Sequence, residues 1–204
     1  MELVLANKPL PFAWADPLPA ACAGLLPHPG PIRILDFGGA IGLAFAYLLG
    51  RLRGIYDLEF HVVELPNLVE EGRKFWSDVA PIHFHLDIPQ FPNGLDVLHL
   101  SGVLPYIDDW QGLLKRLLAL RPKRVVFSCL AVVDCPSFAT RQLNLPGQVL
   151  AYWFLNATEL KNVVKEEGYE LVYERRYGGV YDMSNFPPMH RLEQMTTLWF
   201  VRST

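Results

Sequence analysis

An alternation of short apolar runs with helix-length segments constrains this chain more than any other feature. Ile32–Phe37 is apolar, rich in β-branched residues and bounded by Pro31 and Gly38, so it reads as a strand. Ala40–Leu52 follows with helix formers and basic residues near its end. Leu58–Leu65 reads as a second strand, and Asn67–Val79 as a helix with Glu70, Glu71, Arg73 and Lys74 on its polar face. Ile82–Ile88 is a third strand ending in a PQFPNG loop, and Leu95–Leu104 is a fourth with its exit. Asp108–Leu120 carries acids at its start and Lys115 and Arg116 toward its end, which suits the helix dipole. Arg124–Cys129 is a fifth strand, and Pro136–Ala151 is expected to be a poorly patterned connection. Asn156–Gly168 reads as a helix with an imperfect capping box at Thr158 and Lys161, and Gly168 suits its C-terminal end. Tyr169–Tyr177 and Met195–Arg202 are two closing strands. Strands and helices in this order predict an α/β fold, with a doubly wound, mostly parallel sheet and helices on both faces.

That fold is expected over residues 31–204, behind an irregular or partly helical lead-in, 1–30. The lead-in is apolar but has no positive leader, and Pro9, Pro11, Pro17 and Pro19 interrupt it. No run has the length of a membrane helix without a charge or proline. The chain is 51% hydrophobic, enough for a large core and against disorder. Its net charge of −3, without a basic block, argues against nucleic acid as a partner. Cys22, Cys129 and Cys135 are scattered, as in a protein of a reducing, cytoplasmic compartment.

The first strand ends in Asp36-Phe37-Gly38-Gly39-Ala40-Ile41-Gly42. In an open parallel sheet, ligands bind outside the carboxyl ends of the strands, and glycines let a ligand approach the backbone closely. Glu64 ends the second strand, where a carboxylate can accept from both hydroxyls of a ribose, and Asp87 ends the third. A glycine turn with acids at the next two strand ends points to a nucleotide-like ligand. The spacing is not the dinucleotide G-x-G-x-x-G, which disfavours a nicotinamide oxidoreductase. Asp36-Phe37-Gly38 also spells a kinase motif, but no glycine-rich loop, strand lysine or H-R-D stretch accompanies it.

With these residues the sequence resembles the class I S-adenosylmethionine-dependent methyltransferases. ILDFGGAIG resembles their D-x-G-x-G-x-G motif, with Ala40 in place of the middle glycine, and HVVEL resembles their acidic second motif. Asp96–Phe127 resembles their fourth strand and following helix. The chain is also similar to a bacterial group of methyltransferases linked to surface-polysaccharide or specialised-metabolite pathways. The shared segments are Asp36–Gly39, Val62–Pro66, Ser101–Tyr106 and Trp153–Asn156. That group often has an Asp-Arg-Thr-like turn after the fifth strand, where this chain has Ser128, Cys129 and Leu130.

The resemblance implies a Rossmann-like, seven-stranded sheet with an antiparallel final strand, and S-adenosylmethionine as cofactor. It implies that Asp36, Phe37, Gly38, Gly39, Ala40 and Gly42 form the turn under the methionine part. Glu64 would bind the ribose. Leu65 and Leu86 would flank the adenine, and Asp87 would accept from its amino group. Ser101 and Gly102 would face the sulfonium. The expected reaction is methyl transfer to an oxygen or nitrogen of a small molecule, a biosynthetic intermediate or sugar. The sequence has no N/D-P-P-Y motif, which disfavours amino groups of DNA bases. A possible homodimer is one expected assembly, and a fold retained without catalysis is the alternative reading.

Candidate bases and substrate contacts are His99, Tyr106, Asp134, Gln142, Tyr181 and His190, with Tyr106 and His190 preferred as catalytic. His99 alternates with leucines inside the fourth strand, as a core histidine does. His83 and His85 share one strand face, but no third ligand stands out, so no metal is expected. Tyr152, Trp153, Phe154, Phe138 and Phe186 could line an apolar pocket.

Overall fold

A computed structural model describes residues 17–52, 57–77, 81–142, 147, 149–178 and 183–203. The chain runs α1 (Leu18–Ala23), β1 (Ile32–Phe37), α2 (Leu43–Leu52), β2 (Leu58–Val63), α3 (Pro66–Phe75), β3 (Ile82–His85) and β4 (Val97–Ser101). After a 3-10 turn, Leu104–Tyr106, come α4 (Trp110–Leu118), β5 (Arg124–Leu130), β6 (Val132–Val133), β7 (Phe138–Gln142) and β8 (Leu150–Asn156). The chain closes with α5 (Ala157–Glu166), β9 (Tyr169–Tyr177), a 3-10 turn at Pro188–His190 and β10 (Met195–Arg202).

Seven strands form one sheet in the order β3-β2-β1-β4-β5-β10-β9. β1 pairs parallel with both β2 and β4, while β10 runs antiparallel between β5 and β9. This is the expected Rossmann-like topology. Strand order reverses between β2 and β4 around β1, so the turn after β1 lies at the switch point.

Period-two alternation divides the core between the two faces of the sheet. Ile32, Ile34, Phe60, Val62, Val97 and Val126 pack with Leu18 and Cys22 of α1, Phe45 and Leu48 of α2, and Val69 of α3. Leu35, Leu98, Leu100, Val125, Phe127, Leu198 and Phe200 pack with α4 and α5 on the other face. Each such buried side chain contributes about 1.5–3 kcal/mol of transfer free energy. Docking of α1 places the described end of the lead-in within the first of these cores. Residues 1–16 lie outside the described residues.

Three expectations are corrected. The helix after β1 begins at Leu43 rather than Ala40, because Ala40 (φ 50°) and Gly42 (φ 86°) occupy left-handed backbone that cannot continue a helix. The connection over 136–151 is ordered where described: β7 and β8, with β6, form a second sheet in the order β6-β8-β7. Its pattern is hard to read because β7 has no fully buried residue. The cap of α5 is Asn156 rather than Thr158; its side chain accepts from the Glu159 N–H at 2.9 Å.

Candidate cofactor and substrate site

The turn after β1 is built by steric necessity. Gly38 has φ 72°, and a β-carbon there would strike Val103 Cγ2, so the residue after the β4 exit packs beneath the turn. A β-carbon on Gly39 would fall on Asp36 Oδ2. Ala40 holds a left-handed φ where the family pattern has glycine, so it keeps the turn's shape at the cost of backbone strain. Trp76, just past α3, donates its indole N–H to the Ile41 carbonyl at 2.7 Å and anchors the far end of the turn.

Beneath the turn lies a buried polar row. Asp36, His99 and Ser128 are each no more than 2% exposed. The strand register explains the row: Asp36 stands opposite His99, and Val126, two residues before Ser128, also pairs with His99. All three therefore point to the same face of the sheet from adjacent strands. His99 Nδ1 lies 2.8 Å from Asp36 Oδ1, and His99 Nε2 lies 3.1 Å from Ser128 Oγ. A carboxylate only accepts, so Nδ1 carries the proton and Nε2 accepts from the Ser128 hydroxyl. The expected core histidine is thus the group that fixes the Asp36 carboxylate. The sequence signal was a polar residue at an inward position of three neighbouring strands, and only the pairing register connects them.

Glu64 closes the opposite side. Its carboxylate accepts from the Leu65 N–H at 2.6 Å and, more distantly, from the Ala40 N–H at 3.4 Å. Each oxygen keeps a further lone pair for a ligand hydroxyl. Leu65 is 65% exposed and Leu86 57% exposed, although both are apolar. Beside the strand ends they offer apolar surface for a flat ring. Asp87 is exposed next to Leu86, and Ser101 and Gly102 (φ 63°) are half-buried at the end of β4. Gly102 N–H donates to the Ser128 carbonyl, which ties the exits of β4 and β5 together.

The second sheet stands beside the exit of β4. Tyr106 packs edge-on against Tyr152 with ring centroids 5.1 Å apart, and Trp153 donates to Asp108 Oδ1 at 3.2 Å. From Tyr152 the rings continue to Phe154, then to Phe138 stacked upon it, then to His190 edge-on. Tyr106 and His190 are the two ends of this row. Asp134 points elsewhere: it pairs with Arg176 on the surface and is 77% exposed. Cys129 has a left-handed φ of 54° and accepts at Sγ from the Tyr177 hydroxyl. Tyr177 is pushed well above the ordinary tyrosine pKa, first by burial and then by this bond. Gln142 lies on β7. Tyr181 falls outside the described residues.

Two features fit an adenosyl cofactor, the spare lone pairs of Glu64 and the two exposed apolar side chains at neighbouring strand ends, while the glycines of the turn are required by its own packing against Val103, Asp36 and Ile82. Among the described residues, no helix is long and apolar enough to cross a membrane.

The fold is shared with solved methyltransferases. A Listeria monocytogenes protein assigned as an S-adenosylmethionine-dependent methyltransferase superposes with TM-score 0.64 at 12% identity, over 91% of this chain and 97% of that one. The 1,6-didemethyltoxoflavin N1-methyltransferase of Burkholderia thailandensis, with 1,6-didemethyltoxoflavin and S-adenosylhomocysteine bound, gives 0.61 at 17%, over 95% and 80%. An S-adenosylmethionine-dependent methyltransferase from Mesorhizobium loti gives 0.60 at 14%, over 93% and 99%. Identities this low establish likeness of fold. None of the curated proteins matches the chain. The methyltransferase domain family matches residues 13–174, most of the sequence, and this chain belongs to that family.

Proposed function

We propose that the enzyme methylates an oxygen or nitrogen of a small molecule, a biosynthetic intermediate or sugar, held between the β4 exit and the second sheet. The observation that carries this reading is the aromatic row from Tyr106 to His190. It begins at the turn that leaves the cofactor-side strand end, where Tyr106 is 45% exposed, and it is backed by Tyr152 and Phe154, which are buried in the core of the second sheet. An exposed aromatic with a polar tip over an apolar core suits one side of a small-ligand site.

The cofactor, when bound, supplies an electrophilic methyl group that its acceptor must approach in line with the breaking bond. This chain's residues supply placement. The turn from Gly38 to Gly42 lets the backbone come close to the methionine part, and Asp36, held from below by His99, orients its ammonium. Glu64 accepts from the ribose hydroxyls. Leu65 and Leu86 pack on the adenine, while Asp87 accepts from the exocyclic amine. Ser101 and Gly102 border the sulfonium. Tyr106 positions the acceptor through its hydroxyl, and His190 takes up the acceptor's proton.

Titration calorimetry with S-adenosylmethionine and S-adenosylhomocysteine, with NADH as control, tests the cofactor half. Heat from the adenosyl ligands alone supports it. The acceptor half is tested by screening small hydroxy and amino compounds for S-adenosylhomocysteine release, repeated in Tyr106→Phe and His190→Ala. Acceptors found with unchanged kcat/KM in both variants would remove these two residues from catalysis.

A further inference from the structure

We propose that His61 and His85 form a two-ligand site for a divalent transition-metal cation of the zinc, nickel or copper class, separate from the cofactor site. The sequence shows only His83 and His85 on one strand face. The parallel register of β2 and β3 adds His61, which stands opposite His83 while Val63 stands opposite His85. All three imidazoles project on the face opposite Phe60 and Phe84; His61 stacks on His83 with centroids 5.0 Å apart and meets His85 edge to edge with centroids 5.1 Å apart.

The geometry is that of a chelating pair. His61 Nδ1 lies 2.9 Å from His85 Nε2. A tetrahedral zinc bound at its usual Zn–N distance would hold two such nitrogens about 3.3 Å apart with both lone pairs turned toward it, so the rings must part by about 0.4 Å and tilt off their present N···N line. The other nitrogen of His61 is already committed: Nε2–H donates to Glu59 Oε1 at 3.1 Å. That bond leaves Nδ1 bare, with its lone pair aimed at His85. Glu59 is held in turn by Arg33, whose Nε lies 3.2 Å from Oε2. A carboxylate fixing the tautomer and orientation of a ligating histidine is the usual support behind a metal. Phe91 packs edge-on against the His61 ring and restrains its rotation. Burial, foremost, lowers the pKa of both His61 and His85.

In the present arrangement one proton lies between the two nitrogens. Uptake of a cation requires only that this proton move to Nδ1 of His85. Among the described residues, no three His, Cys, Asp or Glu side chains form a ready cage. The site therefore takes two protein nitrogens and completes its coordination with water. Imidazole ligands select zinc, nickel or copper over magnesium or calcium. A cation there clamps edge strand β3 to β2, just before Leu86 and Asp87.

The test is calorimetric titration of the EDTA-treated, dialysed chain with zinc chloride, with thermal unfolding in parallel. Wild type is expected to take up one equivalent and to gain thermal stability. Glu59→Gln is expected to weaken zinc by about 10–100-fold, and His85→Ala by more. His83→Ala should bind as wild type does. Far-UV circular dichroism with a cooperative thermal transition serves as the check that each variant is folded, and exposed His83 and half-buried His85 keep the test usable should His61→Ala fail to fold. Absence of zinc uptake by wild type overturns the proposal, as does undiminished uptake by folded His85→Ala.

Discussion

His99 Nδ1 lies 2.8 Å from Asp36 Oδ1 across the β1–β4 pairing, and their side chains are 1% and 2% exposed. A histidine from one strand therefore fixes the carboxylate on which the glycine turn of another strand rests. Replacing His99 by alanine leaves that carboxylate buried with one partner fewer. His99→Ala is expected to cost about 1.5–3 kcal/mol of folding stability, the range for a lost hydrogen bond to a buried charged group. Urea unfolding measures it, and a cost below about 1 kcal/mol would show that Asp36 does not depend on His99.

Ala40 is the position where this chain departs from the family's glycine pattern, and it carries a left-handed φ of 50°. Ala40→Gly should relieve that strain and stabilise the fold by about 1 kcal/mol, the low end of the left-handed cost. Gly39→Ala should act oppositely. Its new β-carbon meets Asp36 Oδ2, which cannot retreat while His99 holds the same carboxylate. The expected loss is about 1–3 kcal/mol, as for overpacking, with weakened S-adenosylhomocysteine binding. Equal and small effects of both substitutions on denaturation midpoints would mean that the turn adapts.

Glu64→Ala removes the carboxylate proposed to hold the ribose. Affinity for S-adenosylmethionine is expected to fall by about 1.5–3 kcal/mol, the range for hydrogen bonds to a charged group. Calorimetry on the folded variant decides this, and unchanged affinity takes Glu64 out of the site.

Asp96, at the entry to β4, ties three segments together. It accepts from the Arg33 N–H at 2.9 Å, lies 2.8 Å from Lys123 Nζ and lies 3.0 Å from His28 Nε2. Burial pushes its carboxyl pKa up, but the Arg33 N–H and the Lys123 ammonium outweigh it, and the net direction is down. A carboxylate with a depressed folded pKa stabilises the fold above its unfolded value of 3.8 and loses that contribution as pH falls through the folded value. Asp96→Asn is expected to cost about 1.5–3 kcal/mol near neutrality. The gap from wild type should close below about pH 3.8. A gap independent of pH between 7 and 3 would show that the charge of Asp96 is not what stabilises this corner.

The sequence by itself determined the sheet. β1, β9 and β10 fall at the bounds read from it, because apolar alternation and glycine or proline punctuation are local signals. It also marked the glycine turn, Glu64 and Asp87, since each was read at a strand end where the switch point of a parallel sheet collects ligands, while Leu65 and Leu86 entered through the family resemblance. Tertiary structure alone decided the partners. Asp36 and His99 are 63 residues apart in sequence, and the register of two parallel strands brings them together. His61 and His85 meet in the same way, while Trp76 and the Ile41 carbonyl meet where the end of α3 packs on the turn after β1. The second sheet, too, was hidden, because half-exposed strands carry little hydrophobic pattern. Periodicity reports which way a side chain faces; which distant residue it meets depends on strand order and register, and those are set by packing the whole chain at once.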